Sequence, residues 1–424
     1  MGLLVKGSFL LLFLLGLPVM IAIGIPSIVY LLTQGFPIDM LAQRMHYALD
    51  SYTLVAVPVF IFAGNLMNST GITRRIFKFA DTLVGRVPGG LAQVNIFASL
   101  IFSGMSGAAL ADVGGLGKIE IKAMRDKGFS KEFSGAVTCA SATVGPIFPP
   151  SIPLVIYGSV ASVSIVKLLL AGILPAVIAV ILMMVTTVFI AFIKKLPRAE
   201  RWPTLRAIGN DFMSGLPALL APALLVVGML TGVFTPTEAA SGTVIYILLI
   251  SVFIYRDFSF EHLIDSALAT LKSSAAILVI IATASLFGWI LAVEQIPQMF
   301  TQFIIPFGEN RIVFLIIINL ILLIVGMFLD STTATLLVIP ILAPPAVAMG
   351  IDPVHLGIIA IFNLMLGLVT PPMGLSLFMI SEIAECPITR VFKSVFVYFI
   401  PLGITLIMIT FFPQVSLWLP GLVK

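Results

Sequence analysis

Charge is what this sequence has least of. Lys and Arg number 23 and Asp and Glu 19 among 424 residues, together 10% of the chain, where a soluble globular protein carries about a quarter. That scarcity excludes an ordinary soluble domain. The net charge of +4 is not a nucleic-acid signal, because the basic residues sit in short stretches between apolar runs and read as markers of cytoplasmic loops. Only Cys139 and Cys386 are present, far apart and in or beside apolar segments. They imply inert core residues and no disulfide framework. His46, His262 and His355 are isolated, with no metal-ligand spacing and no nearby nucleophile. A metalloenzyme or hydrolase is therefore unsupported, and the three are expected near the membrane interfaces. No G-x-x-x-x-G-K-[ST] run occurs, so the chain does not bind ATP by that route. The chain is not expected to be an enzyme.

What is abundant is apolar sequence: 60% of residues are hydrophobic and the mean hydropathy is +1.18. Runs such as Val177–Ile193 and Ile312–Leu329 are long enough to cross the hydrocarbon core. The fold class is an all-α polytopic membrane protein. Spans are expected near 8–32, 42–68, 133–160, 168–193, 213–233, 238–255, 265–292, 353–380 and 394–418. The first of these is a span and not a signal peptide, since its apolar stretch is too long and no Ala-x-Ala site follows. Trp202, Trp289 and Trp418 fit interfacial anchors.

Two apolar stretches, 88–117 and 312–349, do not fit as simple spans. Arg74, Arg75, Lys78 and Arg86 precede the first; Lys118, Lys122, Arg125, Lys127 and Lys131 follow it. A single crossing would put one basic cluster outside, and thirty residues make a helix of about 45 Å, too long for one span. A re-entrant hairpin open to the cytoplasm, turning at Ser103–Gly107, removes both conflicts. The preceding segment places Ile72, Ile76, Phe79 and Leu83 on one helical face, with Arg74, Arg75 and Lys78 off it. That pattern predicts an amphipathic helix in the interface plane. The second stretch breaks at Gly326–Thr335, has little positive charge on its flanks (Glu309, Arg311, Asp352, His355), and is expected to open to the other side.

An internal repeat then becomes worth testing. At one constant offset, Gly104 meets Gly326, Met105 meets Met327, Gly128 meets Gly350, Gly135 meets Gly357, Gly145 meets Gly367, and Pro149–Pro150 meet Pro371–Pro372. A slightly longer offset pairs Gly64 with Gly288 and Ile72 with Ile296. With Lys194, Lys195, Arg198 and Arg201 inside, the unpaired span at 213–233 inverts the second copy. The chain then divides into scaffold spans and an interfacial arm helix over 1–87, and a first hairpin, broken span and following span over 88–193. Second scaffold spans and arm helix follow over 194–311, and the second hairpin, broken span and last span over 312–424.

The Pro-Pro pairs in "ATVGPIFPPSIP" and "MLGLVTPPMGLS" sit mid-span and force unwinding. Unwinding frees carbonyl oxygens, which with hydroxyls suit a hard monovalent cation such as sodium. Each hairpin tip facing a broken span would make one site. The first takes Ser103, Ser106, Gly145, Phe148 (by its carbonyl) and Pro150; the second takes Gly326, Gly367, Thr370 and Met373. Half-helix N-termini at the same centre favour a substrate carboxylate. Asp112, Asp330, Ser331 and Thr332 are candidates to line the substrate cavity. The competing reading makes these Gly and Pro residues kinks and close-packing points. Thr237 is expected to cap the helix that Glu238 opens.

The stretches "GNLMNSTGITRRIFKFADTLVGRVPGGLAQVN", "SGMSGAALADVGGLGKIEIKAM", "SATVGPIFPPSIPLVIYG", "FTPTEAA", "GMFLDSTTATLLVIPILAPP" and "LGLVTPPMGLSLF" resemble the large membrane subunit, the M or DctM-type component, of a tripartite ATP-independent periplasmic (TRAP) transporter. The resemblance spans essentially the whole chain. It implies a sodium-coupled, elevator-type importer of organic acids in the bacterial inner membrane, distantly like the dicarboxylate–sodium symporters. It places the family's sodium sites on the hairpin tips and broken spans named above. It also implies a small membrane subunit of about four helices, absent from this chain, and a periplasmic protein that delivers a carboxylate-bearing substrate such as a C4-dicarboxylate or sialic acid. Phe148 stands where the second half has Thr370, so the first site lacks that hydroxyl. The alternatives are a stand-alone dicarboxylate symporter, an intramembrane enzyme, for which no clustered acid–base set is found, and a structural or signalling subunit, which would not need two matched Pro-Pro breaks.

Overall fold

Backbone polar groups in lipid must be paired within the protein, and a chain this apolar meets that demand with helices. A computed structural model describes residues 7–9, 11–13, 15–107, 109–198, 204–304 and 310–422. The side chains of 53, 103–106, 111, 205, 207, 230, 301, 303 and 304 fall outside the description, as do Trp202 and Glu309. Among the described residues every regular element is helical, and seven stretches are long and apolar enough to cross a membrane.

The expected first span is interrupted. Residues 7–9 and 11–13 are helical, the chain turns at Gly16 with φ +80°, and α1 (Val19–Thr33) starts after Pro18. The 42–68 span is also divided: α2 (Asp39–Leu49) ends at Asp50, a 3-10 turn covers Tyr52–Val55, and α3 (Ala56–Ser69) follows. Asp50 and Ser51 favour a turn, and Pro58 lies in the first turn of α3, where its missing N–H costs no helical bond. The amphipathic helix is α4 (Ile72–Val84), with Ile72, Ile76 and Phe79 buried and Leu83, against expectation, 39% exposed.

The first hairpin comprises α5 (Leu91–Ser106), α6 (Ala109–Gly114) and α7 (Leu116–Asp126). The broken span is α8 (Lys131–Ser141) and α9 (Ile152–Val160), and α10 (Ile165–Lys194) follows. Next come α11 (Leu205–Leu230), α12 (Pro236–Leu249) running into a π-helical turn, and α13 (Phe260–Val293). The start of α12 is capped by Thr235, which forms a capping box with Glu238. Thr237 instead reaches the Tyr52 carbonyl at 3.4 Å, because Pro236 fixes the first helical position two residues earlier than expected. After α14 (Ile296–Ile304), the second hairpin is α15 (Arg311–Phe328) and α16 (Ser331–Ala348), the second broken span α17 (Pro353–Leu368) and α18 (Leu375–Ile383), and the end is α19 (Ile388–Val395), α20 (Phe399–Phe411) and α21 (Gln414–Leu417).

Two packing groups result. In one, α13 lies against α1, α2 and α3, while α12 packs on α3 and α11. Asn65 donates to Thr270 at 3.0 Å and Ser69 lies 3.0 Å from Ser266, tying α3 to α13. In the other group the elements interlock reciprocally. The later half of each broken span packs on the returning arm of the other hairpin, α9 on α16 and α18 on α6. Gly135 lets α18 approach α8, and Gly357 lets Tyr157 of α9 approach α17. The helices α4 and α14 bridge the groups, α4 against α5 and α11, α14 against α16. Arg75 pins α4 through Asp257 at 2.7 Å and stacks over Tyr255 at 3.8 Å.

His355 is fully buried in the first turn of α17, its Nε2 2.7 Å from the Ile409 carbonyl. Both cysteines are free and buried, as expected.

The helices α15 and α17 cross so closely that a Cβ on Gly367 would fall inside the backbone of Gly326. Overpacking of this kind costs about 1–3 kcal/mol. Gly367→Ala should therefore lower the melting temperature of the purified chain. Gly403→Ala, where nothing lies within 4 Å of the new methyl, should not; equal effects in thermal unfolding would contradict this packing.

Candidate functional site

Each hairpin tip meets the unwound middle of the broken span that follows it. In the second half, Gly326 abuts Gly367, and the Gly374 N–H donates to the Met327 carbonyl at 3.1 Å. Each arm of this hairpin has 18 residues, or about 27 Å, longer than the expected half-span. The tip still stops beside residues 367–374, with all of α18 beyond it. In the first half, a Cβ on Gly107, at φ +61°, would meet Ile152 N at 3.0 Å and the Pro150 carbonyl at 3.2 Å. That tip too stops at the break, with α9 beyond it. Both Pro-Pro bonds, 149–150 and 371–372, are cis.

At the second junction Gly326 and Gly367 are buried, Thr370 is half-buried and Met373 is 44% exposed. The Thr370 hydroxyl donates to the Leu366 carbonyl at 2.7 Å, which leaves its lone pairs for a ligand. The Thr370 carbonyl lies 3.0 Å from the position a Gly374 Cβ would take, so the chain folds tightly back on itself there. At the first junction Gly145 and Pro150 are buried and Phe148 is half-buried. The side chains of Ser103 and Ser106 lie outside the described residues. Ser151 caps α9 through the Leu154 N–H at 3.2 Å and donates to the Pro146 carbonyl, closing the loop.

Asp330 caps α16: its carboxylate accepts the Thr332 and Thr333 N–H groups at 2.9 and 3.1 Å and the Thr333 hydroxyl at 2.5 Å. Ser331 is buried and Thr332 half-buried in that first turn. Asp112 is buried on α6. Among the described residues no three His, Cys, Asp or Glu side chains come together, so carbonyl and hydroxyl oxygens are the donors these junctions offer. Such a set suits a hard cation of low charge.

Sequence reasoning missed the seams that hold the junctions. Between α5 and α8, Asn95 donates to Thr138 at 2.7 Å, and Ser141 donates to Asn95 at 2.8 Å and accepts from Ser99 at 3.0 Å. Between α15 and α17, Asn363 donates to the Asn319 carbonyl and side chain at 2.9 and 2.7 Å. Their signal was asparagine inside apolar helices. Also missed was a cleft of about 500 Å³ between the two packing groups, lined by Asp50, Ser51 and Ser285 on one side and Ser159, Ser162 and Pro340 on the other.

The face with the open end of the first hairpin is basic. Pro197 and Arg198 pack over Gly90, and Glu385 joins Arg125 and Lys131 at 3.4 and 3.1 Å. Lys131 foremost, then Arg125, hold the Glu385 carboxyl below the usual carboxylate range. By the positive-inside tendency this face is cytoplasmic, so the cleft beyond α9 opens to the opposite side.

A family model described as "Tripartite ATP-independent periplasmic transporter, DctM component" matches residues 7–415. The chain is 43% identical over 413 residues to the sialic acid TRAP transporter large permease protein SiaM of Vibrio cholerae, covering 96% of this chain and 95% of that one. It is 37% identical to the sialic acid TRAP transporter permease protein SiaT of Haemophilus influenzae, over 98% of this chain and 67% of that one. It is 35% identical to the C4-dicarboxylate TRAP transporter large permease protein DctM of Pseudomonas aeruginosa, over 90% and 89%. Among solved structures, the crystal structure of the Alcanivorax borkumensis YdaH transporter aligns with a TM-score of 0.59 at 13% identity, over 90% of this chain and 88% of that one, a likeness of fold alone. The chain therefore belongs to the DctM-component family of TRAP transporters, as a multi-pass protein of the inner membrane and not an enzyme.

Proposed function

We propose that this chain is the translocating subunit of a sodium-coupled, binding-protein-dependent importer of organic acids, working as an elevator. The observation that carries the reading is the pair of junctions: Gly326 on Gly367 and Gly107 on Pro150–Ile152, each a hairpin tip set against an unwound segment rich in carbonyls. Sodium bound at Ser103, Ser106, Gly145, Phe148 and Pro150, and at Gly326, Gly367, Thr370 and Met373, would order both tips and raise affinity for a carboxylate. The reciprocal packing of α9 on α16 and α18 on α6 supports an inverted repeat, with residues 88–193 and 312–424 as one moving unit. Residues 1–87 and 194–311 form the scaffold, and α4 and α14 hold the hairpins in frame. The polar cleft at Asp50, Ser51, Ser159 and Ser162 is then the approach from the periplasmic side. Asp330, by fixing the first turn of α16, directs that helix's N-terminus at the substrate position; Asp112, Ser331 and Thr332 stay candidates for the cavity wall.

The names of the relatives favour a sialic acid or a C4-dicarboxylate as substrate, and the tripartite family favours a small membrane subunit and a periplasmic binding protein as partners. Uptake into proteoliposomes holding this chain and the small subunit should require both a sodium gradient and the binding protein. Full uptake without the binding protein would favour the stand-alone symporter.

A millimolar sodium site in about 100 mM salt stabilises the native state by roughly 2–3 kcal/mol. The melting temperature of the purified chain should rise in sodium but not in potassium or choline. Ser103→Ala and Thr370→Ala should each remove part of that rise. A rise untouched by either substitution would move the ions away from the tips. For the elevator, a cysteine pair locking α3 to α5 across the two groups should abolish transport while leaving sodium stabilisation intact; full transport in the locked protein would rule the motion out.

A further inference from the structure

Glu120 points inward from α7, whose opposite face exposes Lys118 and Lys122. It is 1% exposed, and its Oε1 has no hydrogen-bond partner. Beside it, across the kink at Gly115, stands Asp112 of α6, 4% exposed and felt by Glu120 as a like charge. Among the described residues, the elements packed around α7 bring no cation that lacks another partner. From α5 comes Asn95, already bonded to Thr138 and Ser141. The start of α8 brings Lys131 and Glu132, engaged with Glu385 and Arg390. The carboxylate Glu382 lies on α18, and Arg125 of α7 itself pairs with Glu385. A buried carboxylate in such surroundings cannot stay a bare anion without a large desolvation cost. Sodium would need a shell of several oxygens, and the nearby amide and hydroxyl are committed to each other. A proton needs one oxygen.

We propose that the first hairpin carries a proton-binding site, in which Glu120, walled in beside Asp112, holds one proton while α7 is packed against α8. The proton sits on a carboxyl oxygen, and its release requires α7 to part from α8 or water to enter between α6 and α7. The site lies two turns or more beyond the tip and does not depend on sodium coupling.

Burial, and after it the charge of Asp112, push the Glu120 carboxyl well above its ordinary 4.5. For a group raised on folding, its stabilisation is full below the unfolded value and is lost as pH rises towards the folded one. The melting temperature of the wild-type chain should thus fall as pH rises from about 4.5 towards the raised folded value. Glu120→Gln, which keeps a neutral group in place, should flatten that fall and melt no lower than wild type at neutral pH. In infrared spectra at neutral pH, a protonated-carboxyl band should be present in the wild type and missing in Glu120→Gln. Identical bands, or an unchanged pH slope, would overturn the proposal. So would loss of sodium-specific stabilisation in the Gln variant, which would make the pair a sodium ligand. Should that variant not fold, Glu120→Asp is read instead, and a band that does not shift in frequency overturns the proposal.

Discussion

Everything in this molecule follows from one constraint: a helix that is interrupted inside a membrane must have protein, not lipid, around the interruption. The first Pro-Pro segment breaks its span where the unwound backbone is surrounded, and the second is enclosed at Gly367 and Gly374 while Pro372 and Met373 lie exposed. Gly145, Pro150 and Gly367 are buried, and the hydroxyls of Thr143, Ser151 and Thr370 return to nearby carbonyls. Enclosure needs a second body at each break, and the hairpin tips are those bodies. They come close enough only because Gly107, Gly326 and Gly367 carry no side chain. The glycines of the tips and the prolines of the breaks are thus two halves of one requirement, and removing either would leave the other unsatisfied.

The same requirement explains the polar seams. Asparagine and serine inside apolar helices are expensive unless they bond one another. Asn95 with Ser141, and Asn319 with Asn363, fix the rotation of each hairpin's leading arm against the first half of its broken span. A hairpin clamped in this way presents its tip at one depth. The ion pairs of Glu385 with Arg125 and Lys131 do little for stability, being exposed and screened. They join the outer end of the first hairpin to the turn after the second broken span, so the interlocked elements are closed at the cytoplasmic face.

Much of this was legible in the sequence because backbone-determining residues carry it. Gly107, Gly145 and the Pro-Pro pairs mark breaks, Gly104, Gly326 and Gly367 fall in the last turns of α5, α15 and α17, and Ile72, Ile76 and Phe79 set the buried face of α4 by spacing alone. What was not legible depends on partners distant in the chain. Thr237 reads as a cap locally, yet its hydroxyl is drawn to Tyr52, and Thr235 takes the role. His355 gives no local sign of its partner, the Ile409 carbonyl, which lies 54 residues away in the chain. The break at Asp50 was hidden because apolar residues on both sides averaged into one span.

That break has a consequence for how the two halves differ. The helix opposite, α13, runs 34 residues without interruption, whereas its neighbours α2 and α3 part at Asp50 and Ser51, level with Ile281 and Ser285 of α13. A turn at that depth exposes peptide groups and a carboxylate, which lipid would not accept. The cleft supplies what they need, since its other wall offers Ser159 and Ser162 at the end of α9. A polar surface on an otherwise apolar group of helices therefore faces the interlocked group. Two surfaces that are both polar and not packed against each other can separate or slide at far smaller expense than two interdigitated apolar ones. Along the seam between the two groups, the first group is irregular at Asp50 and Ser51 and regular along the rest of α13.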